Sequence, residues 1–240
     1  MKACLAGILD AVFPPRCPTC NAIHHEHGPL PFCGDCAAKI RLIRPPLCPS
    51  CGLPYPEGTG ANHLCGNCLL TPKAFSMARA VGYYDGPFLS AISDLKYRGN
   101  TAMGKILGKL MAAYDDDDLR IPSFTLIMPV PLHVSRLRER AFNQALILAR
   151  VVALRHNVPL DFTSLKRHIR TQPQVSLGKA EREANVRGAF EVVRPGRIEG
   201  KKIIVIDDVY TTGSTLNECA RVLMNKGAAD VAVLTLARAA

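Results

Sequence analysis

Ile203-Ile204-Val205-Ile206-Asp207-Asp208-Val209-Tyr210-Thr211-Thr212-Gly213-Ser214-Thr215-Leu216 is the stretch that decides the fold. Residues 202–206 read as a strand, and the two carboxylates stand at its end. Adjacent like charges there are unfavourable unless a cation or a row of hydroxyls uses them, so Asp207 and Asp208 point to a metal, a sugar diol or both. Thr211, Thr212, Gly213, Ser214 and Thr215 supply the opposite polarity. They open a helix predicted over 214–226 and offer backbone N–H groups, hydroxyls and a positive helix end to a dianionic phosphate. Neither a Walker loop nor Gly-x-Gly-x-x-Gly is present, which excludes a standard NTPase or dinucleotide site.

Working outward, residues 231–236 read as a second strand after that helix. A strand, helix and strand in this order make a right-handed crossover and hence a parallel sheet, whose ligands sit at the carboxyl ends of the strands. Upstream, 78–84 reads as a strand ending at Asp85-Gly86-Pro87, and 88–97 and 102–114 as helices. The acidic run 115–118 reads as a solvated linker, and 124–128 as a buried strand. Residues 142–156 carry Leu146, Ala149, Val152 and Ala153 at helical spacing, a stripe for the core.

Among 240 residues, 48% are apolar and 21% charged, a globular composition. The length fits one domain of about 170 residues plus a small appendage. The net charge is +10, and it is unevenly spread: residues 1–72 hold 5 Lys and Arg against 4 Asp and Glu, and residues 73–240 hold 25 against 16. The basic field of the larger part attracts phosphate groups, whether on a small substrate or on a nucleic-acid backbone. No apolar run reaches the roughly 18 residues of a membrane helix, and the chain reads as a soluble cytoplasmic protein without membrane insertion. Leu5, Ile8, Leu9, Val12 and Phe13 suggest an amphipathic helix docked on the body, with Cys4 a small apolar residue within it.

Ten cysteines include four Cys-x-x-Cys pairs: Cys17/Cys20, Cys33/Cys36, Cys48/Cys51 and Cys65/Cys68. Two thiolates in one tight turn hold one edge of a metal, and two such turns complete the tetrahedral S4 set that zinc prefers, so four pairs mean two structural zinc ions. Pro18, Pro49, Gly34, Gly52 and Gly66 supply the turn geometry. Neighbouring pairs most simply form two stacked ribbons, while a cross-braced pairing of first with third stays open. His24, His25, His27 and His63 read as loop surface, because each ion already has four sulfurs. A segment this poor in large apolar side chains takes its folding energy from the metal. The module is assigned to residues 1–72 and the α/β body to 73–240.

Strand, acidic pair and Thr-Thr-Gly-x-Thr together resemble the 5-phosphoribosyl 1-diphosphate (PRPP) motif of type I phosphoribosyltransferases. With the cysteine pairs in front, Leu95-Lys96-Tyr97, Val130-Pro131-Leu132, Arg140-Ala141-Phe142-Asn143-Gln144, Arg170-Thr171-Gln172, Leu177, Arg182, Asn185 and Gly188-Ala189-Phe190, the chain resembles the ComF family of competence-linked phosphoribosyltransferase-like proteins, including GntX-type members. The resemblance implies a phosphoribosyltransferase-type parallel sheet flanked by helices. It implies that Asp207 and Asp208 contact the ribose hydroxyls, that residues 211–215 bind the 5-phosphate, and that Val130, Pro131, Leu132 and His133 occupy the pyrophosphate loop. Lys96, Arg138 and Arg140 are its cationic candidates for pyrophosphate. Residues 168–187 would close over the site, bringing Arg170, Lys179 and Arg182 to the leaving group, and Mg²⁺ would accompany PRPP. Tyr210 departs from the aliphatic residue usual in this motif, at the wall beside the ribose. Acceptor recognition is expected from a hood at residues 73–90, which names no acceptor.

Two functions follow. The first is transfer: a nucleophile displaces pyrophosphate from PRPP, in DNA uptake or nucleotide metabolism. The second is a non-catalytic module that holds single-stranded DNA or a competence protein. Residues 133–187 carry 11 Lys and Arg against 4 Asp and Glu, although Phe142 and Phe162 are thin provision for base stacking. The oligomeric state is open.

Overall fold

Five apolar or β-branched residues in sequence, Ile203 to Ile206 and then Val209, run through the middle of a parallel sheet because they find apolar neighbours on both faces. The computed structural model describes residues 16–23, 32–56, 60–169 and 179–239. In chain order its elements are α1 (Gly34–Ala37), α2 (Gly66–Leu70), β1 (Met77–Tyr83), α3 (Gly86–Arg98), α4 (Thr101–Ala112), β2 (Leu126–Pro129), α5 (Val134–Arg140), α6 (Gln144–His156), β3 (Leu165–Arg167), α7 (Lys179–Val186), β4 (Phe190–Val192), β5 (Lys202–Tyr210), α8 (Ser214–Met224) and β6 (Asp230–Arg238). The main sheet has the order β1-β6-β5-β2 and is parallel throughout, and β3 and β4 form a separate antiparallel pair.

One sheet face is covered by α3, α4 and α6, which bury Phe88, Ile92, Leu95, Leu107, Leu148 and Val152 against Ile204, Ile206 and Leu234. The other is covered by α8, the β3–β4 pair and the second cysteine ribbon, with Leu216, Cys219 and Leu223 against Val205 and Val233. Local chemistry sets the helix ends. Asn100 and Asn143 accept backbone N–H bonds at the starts of α4 and α6, and Gly99, at φ 68°, ends α3. The buried stripe of α6 is Ala145, Leu148, Ala149, Val152 and Ala153, so Leu148 stands where Leu146 was expected.

The cysteine ribbons cover the free edge of β1. Ile43 and Ala78 donate backbone bonds across it, to Val81 and Ser50, at 3.0 and 2.7 Å, and Tyr83 donates to Arg41 at 2.9 Å. This protects an edge that would otherwise pair with another chain. Residues 77–83 thus belong to the sheet, in line with the strand expected at 78–84, inside the segment expected as an acceptor hood. The acidic run is not simply solvated. Asp116 and Asp118 hold Arg79 of β1 at 3.0 and 2.8 Å, and Arg79 is 2% exposed. A buried guanidinium requires such partners. Among the described residues no helix is long and apolar enough to cross a membrane. The expected helix around Cys4, the His24, His25 and His27 cluster, and Arg170, Thr171, Gln172 and Leu177 lie outside the described residues.

Close packing of α4 on α6 depends on small residues. A Cβ on Gly108 would lie 2.8 Å from Val151 Cβ, and one on Gly104 2.9 Å from Ile147 Cγ2. Gly108→Val is expected to destabilise the chain by about 1–3 kcal/mol through overpacking, read as a lowered thermal midpoint. Gly196→Ala, whose added methyl meets nothing within 4 Å, is expected to leave that midpoint unchanged.

Candidate functional site

Strand β5 continues four residues beyond the predicted end, so both carboxylates lie on the strand and not in the loop after it. Successive side chains then diverge. Asp208, 4% exposed, meets Lys96 in the last turn of α3, with Nζ 2.8 Å from Oδ2. Loss of solvation, the largest single influence, lowers the Lys96 pKa there, but the charge and hydrogen bond of Asp208 together with the Asp207 charge outweigh it and raise the pKa. Asp207 accepts the Asp208 backbone N–H at 2.9 Å. Burial, with the Asp208 charge adding to it, pushes the Asp207 carboxyl up to about 7, against the opposing charges of Lys96 and Arg167. Arg167 was not foreseen as part of this environment. It lies at the end of β3 with its guanidinium 5.3 Å from the Phe190 ring, and burial lowers its pKa. A three-residue strand carries too little periodicity to have shown this in sequence.

The turn after β5 is shaped to present its backbone. Gly213 caps α8 at φ 77°, and a Cβ there would lie 2.3 Å from the Tyr210 hydroxyl oxygen, so only glycine fits. The Thr212 and Ser214 hydroxyl oxygens are 2.8 Å apart, and the Ser214 N–H reaches Thr212 Oγ1 at 3.4 Å. Thr211 is exposed and Thr212 and Thr215 half-buried. Tyr210, which the resemblance puts at the wall beside the ribose, is 3% exposed and fills the space beneath Gly213.

The adjacent turn leaves β2. Val130 donates to Ile206 at 2.9 Å, which places Val130, Pro131 and Leu132 beside the carboxyl end of β5. Asn143 braces this turn, donating from Nδ2 to the Val130 carbonyl at 3.0 Å while its Oδ1 caps α6. His133 is occupied at the start of α5, where Nδ1 accepts from the Ser135 N–H. Beside the turn a cavity of about 450 Å³ is lined by Lys96, Tyr97, Arg98, Gly99, Arg136, Glu139, Arg140 and Phe142. The Arg140 guanidinium stands 5.6 Å from the Tyr97 ring, and Tyr97 is 73% exposed. Lys96 and Arg140 are therefore brought together, whereas Arg138 is exposed and outside this cavity. Arg182 falls in α7, and its side chain, like that of Lys179, lies outside the described residues.

The eight cysteines gather into two sets, Cys17, Cys20, Cys33 and Cys36, and Cys48, Cys51, Cys65 and Cys68, with the sulfurs of each within 4.8 Å of one another. The pairing is sequential and not cross-braced. Cys20 and Cys33 sulfurs are 3.6 Å apart, as are those of Cys51 and Cys65. A zinc tetrahedron with Zn–S bonds of about 2.3 Å has sulfur edges of about 3.8 Å, so both sets fit that ion. The Cys65 N–H points at Cys48 Sγ at 3.4 Å, the backbone support a bound thiolate uses. His63 stacks on Tyr55 at 4.1 Å and belongs to neither set.

Residues 8–69 match the family model of the double zinc ribbon domain, and residues 141–240 that of the phosphoribosyl transferase domain. The DNA utilization protein YhgH of Escherichia coli K12 is 31% identical over 212 residues, which cover 86% of this chain and 90% of that protein. Competence protein F of Haemophilus influenzae is 31% identical over 224 residues, covering 92% and 90%. Competence protein ComFC of Bacillus subtilis is 28% identical over 215 residues, covering 86% and 83%. A double zinc ribbon joined to a parallel phosphoribosyl transferase sheet, matched nearly end to end by these relatives, makes this chain a member of the YhgH/competence protein F family.

Proposed function

We propose that the chain binds PRPP at the carboxyl ends of β5 and β2 and transfers its phosphoribosyl group, with pyrophosphate leaving, in a pathway of DNA uptake or nucleotide metabolism in the cytoplasm. One observation carries this reading: the acidic pair Asp207 and Asp208 is followed at once by a glycine-formed turn that opens α8. Carboxylates for a sugar diol thereby stand next to N–H groups for a phosphate. In this reading the residues 211–215 take the 5-phosphate, and Asp207 and Asp208 accept hydrogen bonds from the ribose hydroxyls. Val130, Pro131, Leu132, Lys96 and Arg140 face the pyrophosphate, and Arg182 meets it from the 168–187 segment. Mg²⁺ arriving with PRPP would neutralise part of the pyrophosphate charge. The bond from the anomeric carbon to pyrophosphate breaks as the acceptor's lone pair forms the new one. Residues 1–72 act as a structural module holding two zinc ions, and residues 73–240 carry the site.

A second reading has its own support. Tyr97, exposed beside Arg98, Arg136 and Arg140, adds the stacking surface that the basic segment lacks in sequence, which favours single-stranded DNA on the same face. The family names of the relatives point to DNA as well. A competence protein partner would use the same basic surface.

Calorimetric titration with PRPP and Mg²⁺ tests the first reading. Asp207→Asn leaves the Lys96–Asp208 pair intact and is expected to weaken binding at least about 10-fold, and the Asp207→Asn/Asp208→Asn double variant to abolish it. Wild-type affinity in a folded Asp207→Asn chain would sink the ribose site.

The raised Asp207 pKa sets a pH dependence. The folded chain holds this proton more tightly than the unfolded chain, so the Asp207 contribution to stability falls as pH climbs from the ordinary carboxylate range to about 7. A hydroxyl bonds more strongly to the ionised carboxylate than to the neutral carboxyl, so PRPP affinity is expected to rise with pH through about 7, and to lose that rise in Asp207→Asn. A flat wild-type profile would count against Asp207 as the acceptor group.

For the second reading, Tyr97→Ala is expected to weaken single-stranded DNA binding about 10-fold at fixed salt. Arg140→Gln should reduce the slope of log affinity against log salt by about 0.7. No DNA binding even at low salt would remove this reading.

A further inference from the structure

The second cysteine set is joined to the phosphate loop through one buried cation. Arg238, the last residue of β6, is 7% exposed, and no carboxylate pairs with it among the described residues. Its Nη1 donates to the Cys51 carbonyl at 2.7 Å, and Nη2 lies 3.9 Å from Cys51 Sγ. On its other side the guanidinium carbon sits 4.2 Å from the centroid of the Tyr210 ring. Tyr210 ends β5, is buried, and fills the space beneath Gly213, the residue that turns the chain into α8. A buried guanidinium is costly without a counter-charge, and a zinc ion held by four thiolates carries a net negative charge that supplies one. Among the described residues the first cysteine set has no such link. Cys17 and Cys36 pack with Phe32 on the opposite sheet face, where Phe32 meets Phe88 at 6.4 Å.

We propose that Arg238 and Tyr210 are positioning residues through which the second Cys4 site sets the backbone of the phosphate loop, so that zinc at Cys48, Cys51, Cys65 and Cys68 and an anion at residues 211–215 favour each other's binding. The anion half rests on the PRPP reading above, while the ordering of the loop does not. Coupling of this kind is reciprocal: an anion in the loop strengthens retention of the second zinc by the factor by which that zinc strengthens the anion. The planar guanidinium suits the role, since it can stack on a ring and bond a carbonyl and a thiolate together, which an ammonium cannot.

The test is amide hydrogen exchange over residues 210–216 in the zinc-loaded full chain, with zinc content and PRPP affinity measured on the same samples. Arg238→Gln and Tyr210→Leu are expected to keep both zinc ions, to speed exchange at residues 211–215 about 10-fold, and to weaken PRPP by a similar factor. Cys20→Ser is expected to lose the first zinc and leave that exchange unchanged, whereas Cys51→Ser should lose the second and speed it. Unchanged exchange in Arg238→Gln overturns the proposal, and so does equal loosening in Cys20→Ser, which would reveal a general loss of fold. Should Arg238→Gln fail to fold, Arg238→Lys decides. It keeps the charge and removes the planar fork, and faster local exchange supports the strut while unchanged exchange overturns it. A wild-type chain that binds no PRPP, yet loosens locally in Arg238→Gln, refutes the PRPP reading and leaves the strut standing.

Discussion

The ion pair between Lys96 and Asp208 is the contact on which the site depends. Two adjacent carboxylates at a buried strand end cannot both ionise cheaply, and the pair resolves this by treating them differently. Lys96 compensates Asp208 from the helical face of the sheet, and Asp207 is left to hold a proton near neutral pH. Removing either partner of the pair would leave the other buried and uncompensated, which costs far more than the pair itself contributes. The glycine that ends α3 after Arg98 serves the same end, because it stops the helix where its last turn can reach β5.

Zinc and body depend on each other in a different currency. The ribbon has few large apolar side chains, so metal at its two Cys4 sets would supply its order, while the sheet has an open strand at β1 and needs a cover. The residues between the two cysteine sets lie along β1, and the two sets come to rest on opposite sheet faces. The module is thus part of the body's packing and not an appendage in the energetic sense, even though its sequence has no helical or strand periodicity.

The parts of this arrangement legible in sequence are those written locally. The apolar run into an acidic pair, the Thr-Thr-Gly-Ser-Thr run that opens a helix and the cysteine spacing each specify geometry within a few residues. What escaped depends on partners far away in the chain. Asp116 and Asp118 look solvated until Arg79 is folded beside them, and nothing near Tyr210 in the sequence announces Arg238, which stacks on its ring from the last strand. An arginine closing an otherwise apolar strand, as at β6, was the visible hint, since such a charge must find a buried partner or leave the sheet. The β3 and β4 strands escaped because three residues cannot display a period of two convincingly.

The cations around the site fall into two shells with different work. Lys96 and Arg167 are inside, where their charges oppose the rise of the Asp207 pKa and Lys96 pairs with Asp208. Arg98, Arg136 and Arg140 line the cavity nearer solvent, Arg98 and Arg136 leaning on Asp94 and Glu139, and Arg140 on the Tyr97 ring. In the PRPP reading proposed above, the outer arginines together with Lys96 would meet the pyrophosphate, while the carboxylates beside them would hold the sugar. A pyrophosphate group and a nucleic-acid backbone would both draw on Arg140, so the two ligands read from this surface are competitors for one patch of charge. Only a ligand that also presents a diol and a terminal phosphate can use the inner carboxylates and the loop at Gly213 together, and that requirement separates PRPP from a simple polyanion.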